Sequence, residues 1–353
     1  MPTKRIPYID LAKGICILLV VAGHVFRYFG FDDPFTRTIS MFRMPLYYIL
    51  SGLFFKTYEG PVGFAVRKTN KLLIPYVFFI LLSLLLIPTL LGKPVPRSFW
   101  GAYDTVLHYN HPLWFLGCLF EVNLIFYALQ MLALRFMPGR QVMVVMSVSC
   151  LTGIVGMTLA VRGVTLPALL GFALVGLPFF AFGWWLHRHT DFLHAPFVAG
   201  RDWVLIVVLL AAVALMTGEV KYGNNEFDHK AMITAYPAGL MGTIAMLLLA
   251  KRIGHLPVVS YCGRYSIIIL CTHYITLQAL KYPIIHVLHP TLTVLAWTDL
   301  ALTLLVSIAL IPVGRHLLPH VTAQKNLLPT TLFQPKAKPE GQAGGREGEP
   351  PSA

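Results

Sequence analysis

Asp10, Lys13 and His24 fall in one apolar stretch, and their spacing puts them on one side of a helix. The eleven residues from Lys13 to His24, at about 100° each, return to within roughly 20° after three turns. Asp10 lies roughly 40° off that line. A titratable side chain inside a membrane span is costly and marks a pathway or a reaction centre with a partner to be found. The simpler reading has Asp10 and Lys13 snorkelling to the membrane edge while His24 hydrogen-bonds a neighbouring helix; the shared stripe favours chemistry. Histidine changes charge near neutrality, so His24 suits a general base. Asp10 is about 21 Å from it along the helix, too far for contact. Glu121, inside another apolar stretch, is the better carboxylate partner by chemistry. A second group, Arg67, Lys68 and Lys71 with Lys13, has the charge to hold phosphates, or simply marks the basic side of a membrane protein.

These residues are carried by a chain of 353 residues that is 56% hydrophobic and 12% charged, with a mean hydropathy of +0.68. Such a composition belongs to membrane proteins. About ten stretches are long enough to span a bilayer, at 9–29, 38–55, 72–91, 112–134, 141–161, 165–186, 203–217, 232–250, 257–280 and 291–313. The expected fold is all-α, a polytopic transmembrane helix bundle. The first stretch lacks a small-residue cleavage signal and reads as a retained span. A net charge of +13 comes from Lys and Arg scattered between apolar runs, which suits orientation in a membrane and not nucleic acid.

With the amino terminus in the cytosol, alternate connections carry Arg67, Lys68 and Lys71, then Arg135 and Arg140, Arg188 and Arg201, and Lys251 and Arg252. The opposite connections carry Asp32 and Asp33, then Lys93, Arg97 and Asp104, then Arg162, and finally a mixed set from Glu219 to Lys230. This asymmetry predicts an inner-membrane protein with both termini cytosolic. The end of the chain, rich in Pro, Gly and charge, predicts a membrane domain over 1–318 and a disordered cytosolic tail over 319–353. The five cysteines form no close pair and read as buried thiols. His187, His189 and His194 near Asp191 match no closed zinc pattern, so no metal and no bound cofactor are expected.

The stretch YIDLAKGICILLVVAGH, with Lys13 ahead of Gly14 and His24 ten intervening residues later, resembles the first helix of the membrane-bound acyltransferase-3 family, the polysaccharide and sugar O-acetylases. SMFRMPLYYILSGLFF is similar to that family's second helix, with Pro45, Ser51 and Gly52 in place and Arg43 where a subgroup has His. RKTNKLLIPY resembles its basic pair ahead of the third helix, with Lys68 and Lys71 at the pair's spacing. HPLWFLGCLFE, carrying Trp114 and Glu121, and GRYSIIILCTH, carrying Ser266 and His273, resemble later motifs in order.

The resemblance implies transfer of an acyl group, most simply acetyl from acetyl-CoA as donor substrate, to a hydroxyl of a carbohydrate or lipid-linked glycan at a membrane. It implies catalytic roles for His24, Glu121 and Asp10, donor contacts from Lys13, Arg67, Lys68 and Lys71, and acceptor contacts from Arg43, Ser51, Trp114 and His273. The rival expectation is a secondary transporter or flippase of a glycan or small metabolite, which ten spans with buried charges would also serve. Against it stand the absence of paired interrupted segments in two halves and the crowding of polar motifs into the first third of the chain.

Overall fold

The computed structural model describes residues 6–31, 33–58, 60–90, 112–216, 220–222, 226–288 and 291–330. Asp32, Lys93, Arg97, Asp104 and Glu219 of the orientation argument, and the tail over 331–353, lie outside the described residues.

The described chain is a bundle of helices: α1 Pro7–Tyr28, α2 Pro34–Leu53, α3 Gly60–Lys68, α4 Ile74–Leu90, α5 Trp114–Phe136 and α6 Gln141–Val161. There follow α7 Leu170–His189, α8 Ala199–Leu215, α9 Ala231–Ile253, α10 Pro257–Arg264, α11 Ser266–Leu288 and α12 Leu292–His316. A two-residue antiparallel bridge pairs Val220–Lys221 with Glu226–Phe227. Every expected span overlaps helical structure, and among the described residues seven helices are long and apolar enough to cross a membrane on those grounds alone. Three expected spans miss that test among the described residues. α2 carries Arg37 and Arg43, α8 is only 17 residues long, and the described apolar part of α11 ends at Leu280. Large apolar side chains such as Leu215, Leu305 and Ile233 face outward, as a lipid-contacting surface requires.

Helix starts follow local chemistry. Asp33 caps α2, its Oδ1 accepting the amides of Phe35 at 2.8 Å and Thr36 at 3.1 Å, with Pro34 at the first helical position. Two boundaries differ from the sequence expectation. The third span starts earlier, at Gly60, and runs through one π turn, Thr69–Leu73, which inserts an extra residue into the helix and re-aims Asn70 and Lys71. The stretch expected as one helix over 257–280 breaks at Tyr265 into α10 and α11.

α1 occupies the centre, packed against α2, α9, α10, α11 and α12. Its contact with α10 is backbone to backbone: a Cβ on Gly14 would stand 1.9 Å from the Val259 carbonyl oxygen, and one on Gly263 would stand 1.8 Å from that of Asp10. Small residues permit this approach where lipid provides no hydrophobic drive for association. Basic side chains gather at one end of the bundle. The Tyr8 hydroxyl donates to the Leu193 carbonyl at 2.8 Å, and Lys251 donates to the Phe192 carbonyl, tying the start of α1 and the end of α9 to the α7–α8 connection.

After α12 the chain turns back instead of trailing away. Asn70, fully buried, accepts the amides of Leu327 and Leu328 at 2.7 and 2.8 Å and donates to the Leu328 carbonyl at 3.0 Å. Lys71 donates to the Ala323 carbonyl at 2.5 Å. Residues 319–330, expected within a disordered tail, therefore fold against the π turn, because its extra residue presents an amide side chain that satisfies three backbone groups at once.

Candidate active site

The bundle brings His24 of α1 and His273 of α11 together, their ring centroids 5.2 Å apart and tilted by 40°. His273 is fully buried, and its Nδ1 lies 2.8 Å from the Leu270 carbonyl and 3.2 Å from that of Ile269. Carbonyls only accept, so Nδ1 carries the proton and Nε2 keeps its lone pair. That Nε2 is buried and makes no hydrogen bond. The pair is thus a fixed acceptor beside a second imidazole that is only half-buried.

Arg43 of α2 closes the same region. It is buried, and its guanidinium fills the space above Gly23, where an added Cβ would lie 1.3 Å from Nη1. Glycine at 23 is what admits a cation next to His24. The Cys16 thiol donates to the Arg43 carbonyl at 3.1 Å and ties α2 to α1 at this level.

Toward the basic end, Lys13, Tyr47, Leu50, Ser51, Leu119 and Leu270 line a narrow cavity of about 270 Å³. Leu270 supplies the carbonyl that holds His273, and Tyr47 is one helical turn from Arg43, so this passage ends within a turn of both. A wider cavity of about 500 Å³, lined by Arg67, Lys68, Lys71 and Tyr58 among others, shares Ser51, Leu72 and Leu119 with the passage. The cations are held over rings: Lys13 at 4.9 Å from the Phe54 centroid, Arg67 at 4.8 Å from Tyr58 and Lys68 at 5.3 Å from Phe64. Among the described residues no acidic side chain lines either cavity.

The remaining sequence candidates sit elsewhere. Glu121 Oε1 accepts the Leu169 amide at 3.1 Å, at the amino end of α7, while Oε2 is buried without a hydrogen bond. Trp114 is buried against Phe172 and Phe115, with centroids 4.9 and 5.9 Å away, and lines neither cavity. Ser51 lines both cavities, with its hydroxyl donating to the Tyr47 carbonyl at 2.8 Å. Asp10 lies in the first turn of α1 beside Gly263, at the far end of the helix from His24. One buried acid escaped the sequence reading: Asp299 of α12 is fully buried and accepts from Thr303 Oγ1 at 3.1 Å, on a helix packed against both α1 and α11. Its signal was present, an acidic residue in the middle of an apolar span.

An apolar helical bundle that brings two histidines together near a basic mouth defines a multi-pass membrane protein. The acyltransferase-3 family model, described as an acyltransferase domain, matches residues 6–314, and the chain belongs to that family of membrane acyltransferases. Nodulation protein NolL of Mesorhizobium japonicum is 35% identical over 83 residues, covering 20% of this chain and 21% of that protein. The match thus spans about a fifth of that relative's length. No solved structure matches closely.

Proposed function

We propose that the protein transfers a short acyl group, acetyl in the simplest case, from acyl-CoA to a carbohydrate hydroxyl on a surface polysaccharide or lipid-linked glycan. The observation that carries this reading is the His24–His273 pair lying within a helical turn of a passage that opens from a basic cavity. A CoA thioester has the matching shape: anionic phosphates for the basic cavity, a slender pantetheine arm for the passage, and a reactive carbonyl at the end.

In this mechanism His24 removes the proton from the acceptor hydroxyl as its oxygen attacks the thioester carbonyl carbon. The C–O bond forms, the C–S bond breaks, and the proton passes from His24 to the CoA sulfur as it leaves. Arg43, held beside Gly23, donates to the oxyanion that develops on the carbonyl oxygen. His273, with its tautomer set by the Leu270 carbonyl, offers Nε2 to orient the imidazolium formed at His24. Arg67, Lys68 and Lys13 hold the donor. The basic end faces the cytosol of the inner membrane, where acyl-CoA is made, and the acceptor approaches His24 from the opposite end.

Membranes containing the protein, given labelled acetyl-CoA, should place alkali-labile label on glycan, and H24A membranes should not. Glycan uptake into sealed vesicles without any ester-linked label would replace this reading with transport.

A further inference from the structure

Beyond the cavity already assigned to the donor lies a second basic cavity of about 570 Å³, lined by Arg264, Tyr265, Arg315, His316, Pro319, Gln324 and Lys325. It shares Gln324 and Lys325 with the first cavity and Arg264 with the passage, so all three meet at one end of the bundle. Its cations come from three separate elements: the end of α10, the last turn of α12 and the returning segment. Among the described residues no acidic side chain lines it.

The cations are positioned by structure. Arg264 and Arg315 both lie over the Tyr265 ring, at 5.5 and 5.6 Å from its centroid. The returning segment is anchored at both ends, by the Thr322 hydroxyl on the Gly314 carbonyl at 2.7 Å and by Asn70 on Leu327 and Leu328. Like charges gathered in one cavity form a positive local field that favours an anionic ligand.

We propose that this cavity receives a phosphate monoester, and that in the acyl-CoA reading the monoester is the 3′-phosphate of the donor's ribose, with the diphosphate in the Arg67–Lys68 cavity. The inference rests on acyl-CoA being the donor. It makes the segment 317–330 part of the donor site, Lys325 and Arg315 specificity-determining residues, and Asn70 a positioning residue. CoA carries a 3′-phosphate and a 5′-diphosphate on one ribose, and two adjoining basic cavities that share one pair of side chains suit that chemistry.

The test compares acetyl-CoA with acetyl-3′-dephospho-CoA. Wild-type protein should show a KM about tenfold or more higher for the dephospho donor, as expected when charge-assisted hydrogen bonds are lost. R315Q, which alters only the second cavity, should raise KM for acetyl-CoA severalfold while kcat stays within twofold. With the dephospho donor R315Q should not raise KM further. Equal penalties with both donors would overturn the assignment. So would a variant defect that follows the anionic-lipid content of the vesicles and not the donor's phosphate, which would make the ligand a lipid headgroup. Wild-type protein that turns over both donors with the same KM would overturn the subsite but leave the donor intact, whereas protein that uses neither would overturn both.

Discussion

His24 and His273 face each other at 5.2 Å between ring centroids, one imidazole half-buried and the other sealed with its Nδ1 proton committed to backbone carbonyls. The asymmetry separates them: His24 is partly accessible, while His273 is sealed inside the bundle. H24A is expected to insert and fold normally yet lose about 10²- to 10⁴-fold in kcat, the range for a lost general base, with KM for the donor little changed. H24Q keeps hydrogen bonding but cannot take a proton, so steady-state kinetics showing near-normal kcat in that variant would remove His24 from proton transfer.

Gly23 sets the place of Arg43, because an added Cβ would lie 1.3 Å from Nη1. G23A should displace the guanidinium without unfolding α1, since the obstructing atom is the end of a flexible side chain. We expect kcat to fall by about 10²-fold, comparable to loss of one oxyanion donor. The measurement is turnover alongside a thermal melt in detergent, and wild-type turnover with an unchanged melt would discount Arg43 as that donor.

Glu121 serves the amino end of α7 through Leu169. E121Q retains an acceptor oxygen and should keep most activity, while E121A leaves the Leu169 amide unsatisfied and should destabilise the protein by about 1–3 kcal/mol. Loss of turnover in E121Q with an unchanged melting temperature would return Glu121 to the chemistry.

Reporters fused at the carboxyl terminus and inserted between Tyr222 and Glu226 should score on opposite sides of the membrane, the first in the cytosol, because basic connections alternate along the chain. Both reporters on one side would reverse the assignment of the basic end.

Part of the candidate site's layout was readable in one dimension. A stripe on α1 depends only on helical periodicity, so Lys13 and His24 could be aligned without neighbours. The apolar runs depend only on composition, so the expected spans could be found, though neither α3 nor the division into α10 and α11 could. The break at Tyr265 was not readable, because SYCGRYS carries no proline; beside the break Gly263 packs against the Asp10 carbonyl, a contact between distant segments. Nor did the composition of the carboxyl-terminal region distinguish residues 319–330 from the rest of the tail, since their order depends on Asn70 in a π turn far away in the chain.

The sequence by itself determined that this is a helical membrane protein, that its basic and titratable residues fall at particular heights along the helices, and that its motifs resemble those of the acyltransferase-3 family. Hydropathy and helical rise are properties of local sequence, which is why they survive without coordinates. Only the tertiary structure decided which heights meet. It placed His273 beside His24 and sent Glu121 to the end of α7. It set Arg43 into the gap left by Gly23 and folded Lys325 back between two basic cavities. Those choices arise from how close two helices can come, which depends on both partners at once, and neither partner's sequence contains the other.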